Sequence, residues 1–346
     1  MTAGEGVATP EGSDVGPVRE RLALEALEYP VPREVGRMGY MLGGVTAFLI
    51  LLLLLTGVYL AQFYDPSPAG AHDSVLYLIT RAPLGDWIRS VHYWSAAGAA
   101  LTITLHLAYV FWRRAYRRPR EVTWWAGVGL AGLLFLLIVT GTALRYDQEG
   151  YEALAHFVAG GQMTGSFGAF FTDAFTRSTS LLSRIFSMHT SLLPLTLLAL
   201  IGLHFWLIRH LGLSPRGPKD AVFRDHAIRL AGIALLAAAV VGLLAVLLPE
   251  NLGYPAVPGA EVTKPFWPVL WVYGLENLLG GWGMVLGPAV VFGFLLAVPL
   301  LDRGPATGPS SRGGRWVRGL GLTVGLAVLA LWMYGVFGAA RQHIGM

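Results

Sequence analysis

Seven stretches of mostly apolar residues, each close to the length that crosses a bilayer, dominate this sequence. A helix needs about 20 such residues to span the hydrocarbon core. On that criterion spans are predicted over residues 40–61, 91–112, 124–144, 188–208, 228–248, 284–301 and 320–336. Backbone groups in lipid must be satisfied within their own segment, which makes these helices rather than open strands. The predicted fold class is therefore an all-α polytopic membrane protein with seven transmembrane helices. Composition agrees, with 54% hydrophobic and only 13% charged residues, against roughly a quarter charged in a soluble chain. The first 30 residues carry acids and prolines but no long apolar core, so no signal peptide is expected there. A polar tail with a short amphipathic stretch over 18–27 is expected instead.

Eighteen of the 25 Lys and Arg residues fall before the first span or in the links after spans two, four and six. That asymmetry places the N-terminus in the cytoplasm. It also accounts for the net charge of +4 through topology and anionic lipid, with no need for nucleic acid. Cysteine is absent, which excludes disulfides, Cys-ligated iron–sulfur clusters and thioether-attached haem. The stretch 304–314 reads as a Gly/Pro/Ser-rich linker.

Of nine histidines, His72, His156, His210, His226 and His343 fall in links or at span edges, where a solvated or interfacial role is the default. His92 and His106 lie in span two, His189 and His204 in span four. An ionisable side chain in hydrocarbon points to function. An interval of 14 residues puts His92 and His106 about 40° apart around the helix and about 21 Å along it. For His189 and His204 the interval of 15 gives about 60° and about 22 Å. Each pair shares one face at two depths, so two neighbouring helices so marked can clamp two planar metal cofactors stacked across the bilayer. With both axial positions filled by imidazole, an iron porphyrin has no site for dioxygen and suits electron transfer. Gly43/Gly57 and Gly127/Gly141 repeat the 14-residue interval in spans one and three, where a macrocycle needs residues without side chains.

Several motifs occur in the order of a known family. They are Leu42-Gly43-Gly44-Val45-Thr46, Ile88-Arg89-Ser90-Val91-His92, Pro119-Arg120-Glu121-Val122-Thr123-Trp124, Val139-Thr140-Gly141, Asp147-Gln148, Ser183-Arg184-Ile185-Phe186-Ser187-Met188-His189-Thr190 and His204-Phe205-Trp206-Leu207-Ile208-Arg209. The chain closely resembles cytochrome b of the quinol-oxidising cytochrome bc and bf complexes. Its histidine intervals resemble the chloroplast and cyanobacterial branch, with spans five to seven similar to that branch's separate subunit IV. The resemblance implies a cytoplasmic tail with an amphipathic helix over 1–38, a dihaem four-helix domain over 39–212 and a three-helix domain over 213–346. It implies two non-covalent b-type haems: His92 pairs with His189 on the outer one, and His106 with His204 on the one nearer the cytoplasm. Arg89 and Arg184 are implied to neutralise outer-haem propionates. An exchangeable quinone, with Asp225 and Arg209 at its cytoplasmic site, is implied as well.

Three departures from the family stand out. The glutamate of a Pro-Glu-Trp-Tyr motif at the outer quinol site is missing, since the aligned residues are Pro265-Phe266-Trp267-Pro268. A Pro-Trp before Asp147-Gln148 is replaced by Arg145-Tyr146. The cysteine that tethers an extra haem in the chloroplast branch aligns with Met41. Quinol oxidation releases protons that need an acceptor within reach; Asp147 and Glu276, with Glu149 and Glu261, are the candidates.

The expected function is the dihaem subunit of a quinol:electron-acceptor oxidoreductase in the bacterial cytoplasmic membrane. It would work as a homodimer with a Rieske iron–sulfur protein and a c-type cytochrome. A dihaem anchor serving a non-Rieske module, such as a multihaem cytochrome or molybdenum enzyme, is the alternative. A haem-free scaffold would leave four imidazoles in hydrocarbon without use. A transporter would be expected to show mid-membrane carboxylates, and none stands near a span centre.

Overall fold

In the computed structural model, which describes residues 21, 24–212, 218–304 and 312–344, the elements follow one another as helices. They are α1 (Met38–Ala61), α2 (Ala71–Thr80), α3 (Gly85–Trp112), α4 (Glu121–Leu144), α5 (Gln148–Met163), α6 (Leu181–Leu211), α7 (Phe223–Leu247), α8 (Leu270–Leu279), α9 (Trp282–Leu301) and α10 (Arg312–Phe337). Among the described residues seven of these, α1, α3, α4, α6, α7, α9 and α10, are long and apolar enough to cross a membrane. The chain is thus an all-α, multi-pass membrane protein.

Several helices begin earlier than the spans predicted from hydropathy. An apolar window stops at the first charge, whereas a helix stops where its backbone loses partners. α6 starts at Leu181 because the Ser180 hydroxyl accepts from the Ser183 N–H at 3.1 Å. α3 starts at Gly85, after Leu84 turns the chain in the left-handed region and ahead of Asp86 in the first turn. Length alone also gave no sign of the short helices α2, α5 and α8. Of the expected amphipathic stretch 18–27, Leu24–Leu27 forms a single 3-10 turn and most of the rest lies outside the described residues. The same holds for most of the 304–314 linker.

Inward-facing Val45, Leu49, Val91, Ala99, Ala100, Leu134, Ile138, Val241 and Ala245 join α1, α3, α4 and α7 in one core. Small residues on α3 let the backbones approach: a Cβ on Gly98 would sit 3.1 Å from Leu49. Leu55, Val58, Leu235, Leu236 and Val290 face outward, as lipid-contacting residues do. Antiparallel pairing of Pro30–Val31 with Ala221–Val222 holds the N-terminal segment beside the start of α7. At the same end the link after α3 meets the end of α9. Arg117 Nη2 and Asp302 Oδ1 pair at 2.5 Å, both buried, and Tyr116 donates to Asp302 at 2.8 Å.

Candidate functional site

α3 and α6 bring His92 and His189 together, their ring centroids 6.5 Å apart and their planes inclined at 59°. Two imidazoles bound to one ion from opposite sides by bonds of about 2.0–2.1 Å would place their centroids about 6 Å apart, so the gap fits a single metal centre. Neighbouring threonines settle which nitrogen is free. Thr140 Oγ1 donates to the Leu136 carbonyl at 2.7 Å and stands 2.9 Å from His189 Nδ1. Its one proton is committed, so it accepts from Nδ1–H and leaves Nε2 as a lone pair. Thr56 does the same for His92, at 2.6 Å to Leu52 and 2.8 Å to the ring.

Each of the four rings rests against one glycine of a neighbouring helix. A Cβ added to Gly57 would lie 3.4 Å from His92 Cε1; on Gly43, 3.0 Å from His106 Cε1. On Gly127 it would lie 3.4 Å from His204 Cε1, and on Gly141 3.0 Å from His189 Cε1. α1 thus supplies both glycines for the α3 rings, and α4 both for the α6 rings. Beside the His92–His189 pair opens a cavity of about 390 Å³ lined by His92, His189, Gly57, Gly141 and Arg89, a volume in the range of cofactor pockets. The deeper rings differ in one respect: His106 Nδ1 and His204 Nδ1 are buried without a hydrogen-bond partner among the described residues. A metal–porphyrin fits this donor set: His92 and His189 approach with free Nε2 atoms, and all four rings sit against cradles that a side chain would fill.

The unequal histidine intervals have a local cause. Residues Met188–Leu192 form a wide π-helical turn. Pro194 lacks the N–H that would bond the Thr190 carbonyl, and the turn relieves the resulting clash. A π turn absorbs one extra residue, so 15 residues in α6 rotate the chain about as far as 14 do in α3.

The expected anion-contacting arginines are both buried and both bonded to carbonyls. Arg89 donates to Glu250 O and, at 3.4 Å, to Asn251 O. Arg184 donates to Phe170 O and, at 3.0 Å, to Thr172 O, while its Nε has no hydrogen-bond partner among the described residues. At the other end of α6, Arg209 stacks on Tyr29 at 4.2 Å, and Tyr29 stacks on Phe223 at 4.7 Å. Asp225 is exposed and pairs with Arg224 at 3.5 Å.

A second cavity, of about 900 Å³, opens where Tyr93, Arg145, Glu149, Glu250, Lys264 and Phe266 meet. Arg145 reaches Asp147 at 2.6 Å, Glu149 at 3.0 Å and Glu250 at 2.9 Å. Burial pushes the Glu149 carboxyl up to about 7 against the pull of Arg145, with Asp147 and Glu250 adding to the rise. Glu250 is likewise raised by burial. Glu149 Oε1 is buried and has no hydrogen-bond partner among the described residues. Asp147 and Glu276 do not line this cavity. Asp147 caps α5 at Gly150 N (3.0 Å) and accepts from Gly253 N at 2.8 Å. Glu250 escaped the sequence reading; its only signal was an acid after a proline just beyond a span.

Three of the histidines expected to be solvated or interfacial are engaged by neighbouring groups. His226 is buried, its ring 2.9 Å from Val35 O. His156 faces Glu261 and Glu276 at 3.5 and 3.6 Å, and His343 lies 2.7 Å from Glu261 and 3.0 Å from Asn277. The reason is that α5, α8 and the residues after α10 fold together. Burial pulls the His156 imidazolium down, and the two carboxylates more than reverse this, to about 9.

Comparison with known proteins bears on the whole arrangement. The profile of the family described as Cytochrome b/b6/petB matches residues 26–212. Cytochrome b6 of Heliobacterium mobile is 34% identical over 201 residues, covering 56% of this chain and 93% of that protein. Cytochrome b6 of Prochlorococcus marinus strain MIT 9211 is 36% identical over 179 residues, 51% of this chain and 82% of its own length. A solved chain titled "Hyperthermophilic respiratory Complex III" superposes with a TM-score of 0.70 at 22% identity, covering 93% of this chain and 97% of that one. At that identity the likeness speaks for the fold.

Proposed function

The chain belongs to the cytochrome b/b6 family, and from that premise we propose that it is the dihaem subunit of a membrane quinol:electron-acceptor oxidoreductase. His92 and His189 hold the haem nearer the outside, His106 and His204 the haem nearer the cytoplasm, within a four-helix domain over 39–212. Two b-type haems, when bound, supply one-electron transfer between two depths of the bilayer. The observation that carries the reading is the fourfold match of a half-buried imidazole with a glycine, α1 against α3 and α4 against α6.

Around that wire the chain's own residues handle quinol and protons. Quinol loses two electrons and two protons on oxidation, and a proton acceptor must lie within reach. In the cavity beside Phe266, Glu149 Oε1 is the acceptor: it is unpartnered, and its carboxyl titrates near neutrality. Arg145 orients it, and Glu250 offers a second carboxylate on the same Arg145. The carboxylate that the Pro265-Phe266-Trp267-Pro268 segment lacks thus comes from the start of α5. This supports a quinol-oxidising outer site served by a Rieske iron–sulfur protein and a c-type cytochrome, over a plain dihaem anchor. At the opposite end, Arg209 and Asp225 serve a quinone site on the cytoplasmic side. The host is the bacterial cytoplasmic membrane, with the N-terminus in the cytoplasm and the chain in a homodimeric complex.

The test is optical. Dithionite reduction of the purified chain should give a b-type α band with two haems per chain by pyridine haemochrome. A chain that binds no haem overturns the reading.

A further inference from the structure

Outside both cavities lies a third group of polar side chains that the electron-transfer reading does not use. His156 on α5, Glu276 on α8 and His343 beyond α10 each present one ligand atom, and the three atoms lie within 4.8 Å of one another. Glu276 is about 95% buried, with 5% of its surface exposed, and among the described residues its Oε1 has no hydrogen-bond partner. The His156 imidazolium stands 3.6 Å away as its nearest positive group, and a cation that both residues ligate would take that proton's place.

The spacing indicates what. His156 Nε2 stands 3.6 Å from Glu276 Oε1, too long for a hydrogen bond. Two ligands on a tetrahedral ion with bonds of about 2.0–2.2 Å are separated by about 3.3–3.6 Å. His156 is oriented through its other nitrogen and His343 through both, its Nε2 standing 3.0 Å from Asn277 Oδ1, a partner that a bound ion would displace. His156 Nδ1 is 2.7 Å from the Glu152 carbonyl, so it donates there and Nε2 turns toward Glu276. His343 Nδ1 is 2.7 Å from Glu261 Oε1, the carboxylate–histidine arrangement that supports metal ligands. Glu152 in turn accepts from the N–H groups of Val262 at 2.8 Å and Thr263 at 3.0 Å, fixing the strand of chain that carries Glu261.

We propose that His156, Glu276 and His343 form a binding site for a divalent cation of the zinc class, with Glu261 as the positioning residue for His343 and water in the fourth place. Two nitrogens and one carboxylate are a donor set that suits zinc rather than calcium or magnesium. The ion ties together α5, α8 and the segment after α10, three parts distant in sequence.

Zinc chloride added to the chelator-stripped full chain in its complex, then desalted, provides the test through elemental analysis. One zinc per chain is expected to remain, with affinity at least about tenfold weaker in Glu276→Gln and in His343→Asn. His72→Asn should bind as the parent does. Absence of retained zinc in the parent, or unchanged affinity in both variants, overturns the proposal. Should the variants fail to accumulate, zinc-edge X-ray absorption of the parent decides: two imidazole ligands support the site, and a shell without imidazole overturns it.

Discussion

Thr140 Oγ1 stands 2.9 Å from His189 Nδ1 while donating its own proton to the Leu136 carbonyl. The hydroxyl therefore makes the ring a better electron donor at Nε2, and a more basic axial ligand favours the oxidised metal. Thr140→Val removes that acceptor. The midpoint potential of the outer haem should rise by tens of millivolts, on a scale where about 59 mV is a tenfold change for one electron. Redox titration should find the inner haem unmoved, since His106 and His204 have no such partner.

Glu149→Gln tests the outer proton acceptor. With its carboxyl raised by burial to about 7, Glu149 is protonated below that pH and ionised above it. Only the ionised form accepts a proton, so quinol oxidation by the parent complex should climb as pH rises through about 7. In Glu149→Gln the rate should fall by about 10²-fold or more and that limb of the profile should vanish. An unchanged profile would remove Glu149 from the mechanism.

The glycine cradles can be filled one at a time. A Cβ at Gly43 already falls 3.0 Å from His106, so Gly43→Val should displace the inner haem and spare the outer one. Pyridine haemochrome should then read one haem per chain. His106→Ala should remove one redox transition of two, and equal loss of both would contradict sites at separate depths.

Asp302 tests the contact between the link after α3 and the end of α9. Burial acts to raise its carboxyl, but the bonds from Arg117 and Tyr116 outweigh that and hold it below the usual carboxylate range. Its contribution is thus present above that range and lost as pH falls through the lowered value. Asp302→Ala leaves Arg117 buried without its carboxylate and should cost about 3–5 kcal/mol, read as a lower detergent-phase melting temperature at neutral pH.

What could be read from residues alone followed from strong physical demands. Hydrocarbon forces long apolar helices, so all seven spans were legible. Imidazoles in lipid are rare, so His92, His106, His189 and His204 stood out with their glycines. Features made by the chain meeting itself were not legible. His156 and His343 looked solvated or interfacial because each sits outside a span, and only the meeting of α5, α8 and the residues after α10 brings them against Glu261 and Glu276. Glu250 became visible only once the link after α7 folded back on Arg145. Pro194 was in plain view, but its effect on helix phase required the backbone.

That wide turn at Met188–Leu192 sets where α6 tolerates a change of length. Elsewhere between His189 and His204, inserting or deleting one residue would rotate every later side chain by about 100° and aim His204 at lipid. Within the turn, one residue is the difference between a π and an α geometry. Relatives could therefore carry an interval of 14 or 15 here and keep the same arrangement of rings, provided the change falls in this turn and is accompanied by replacement of Pro194.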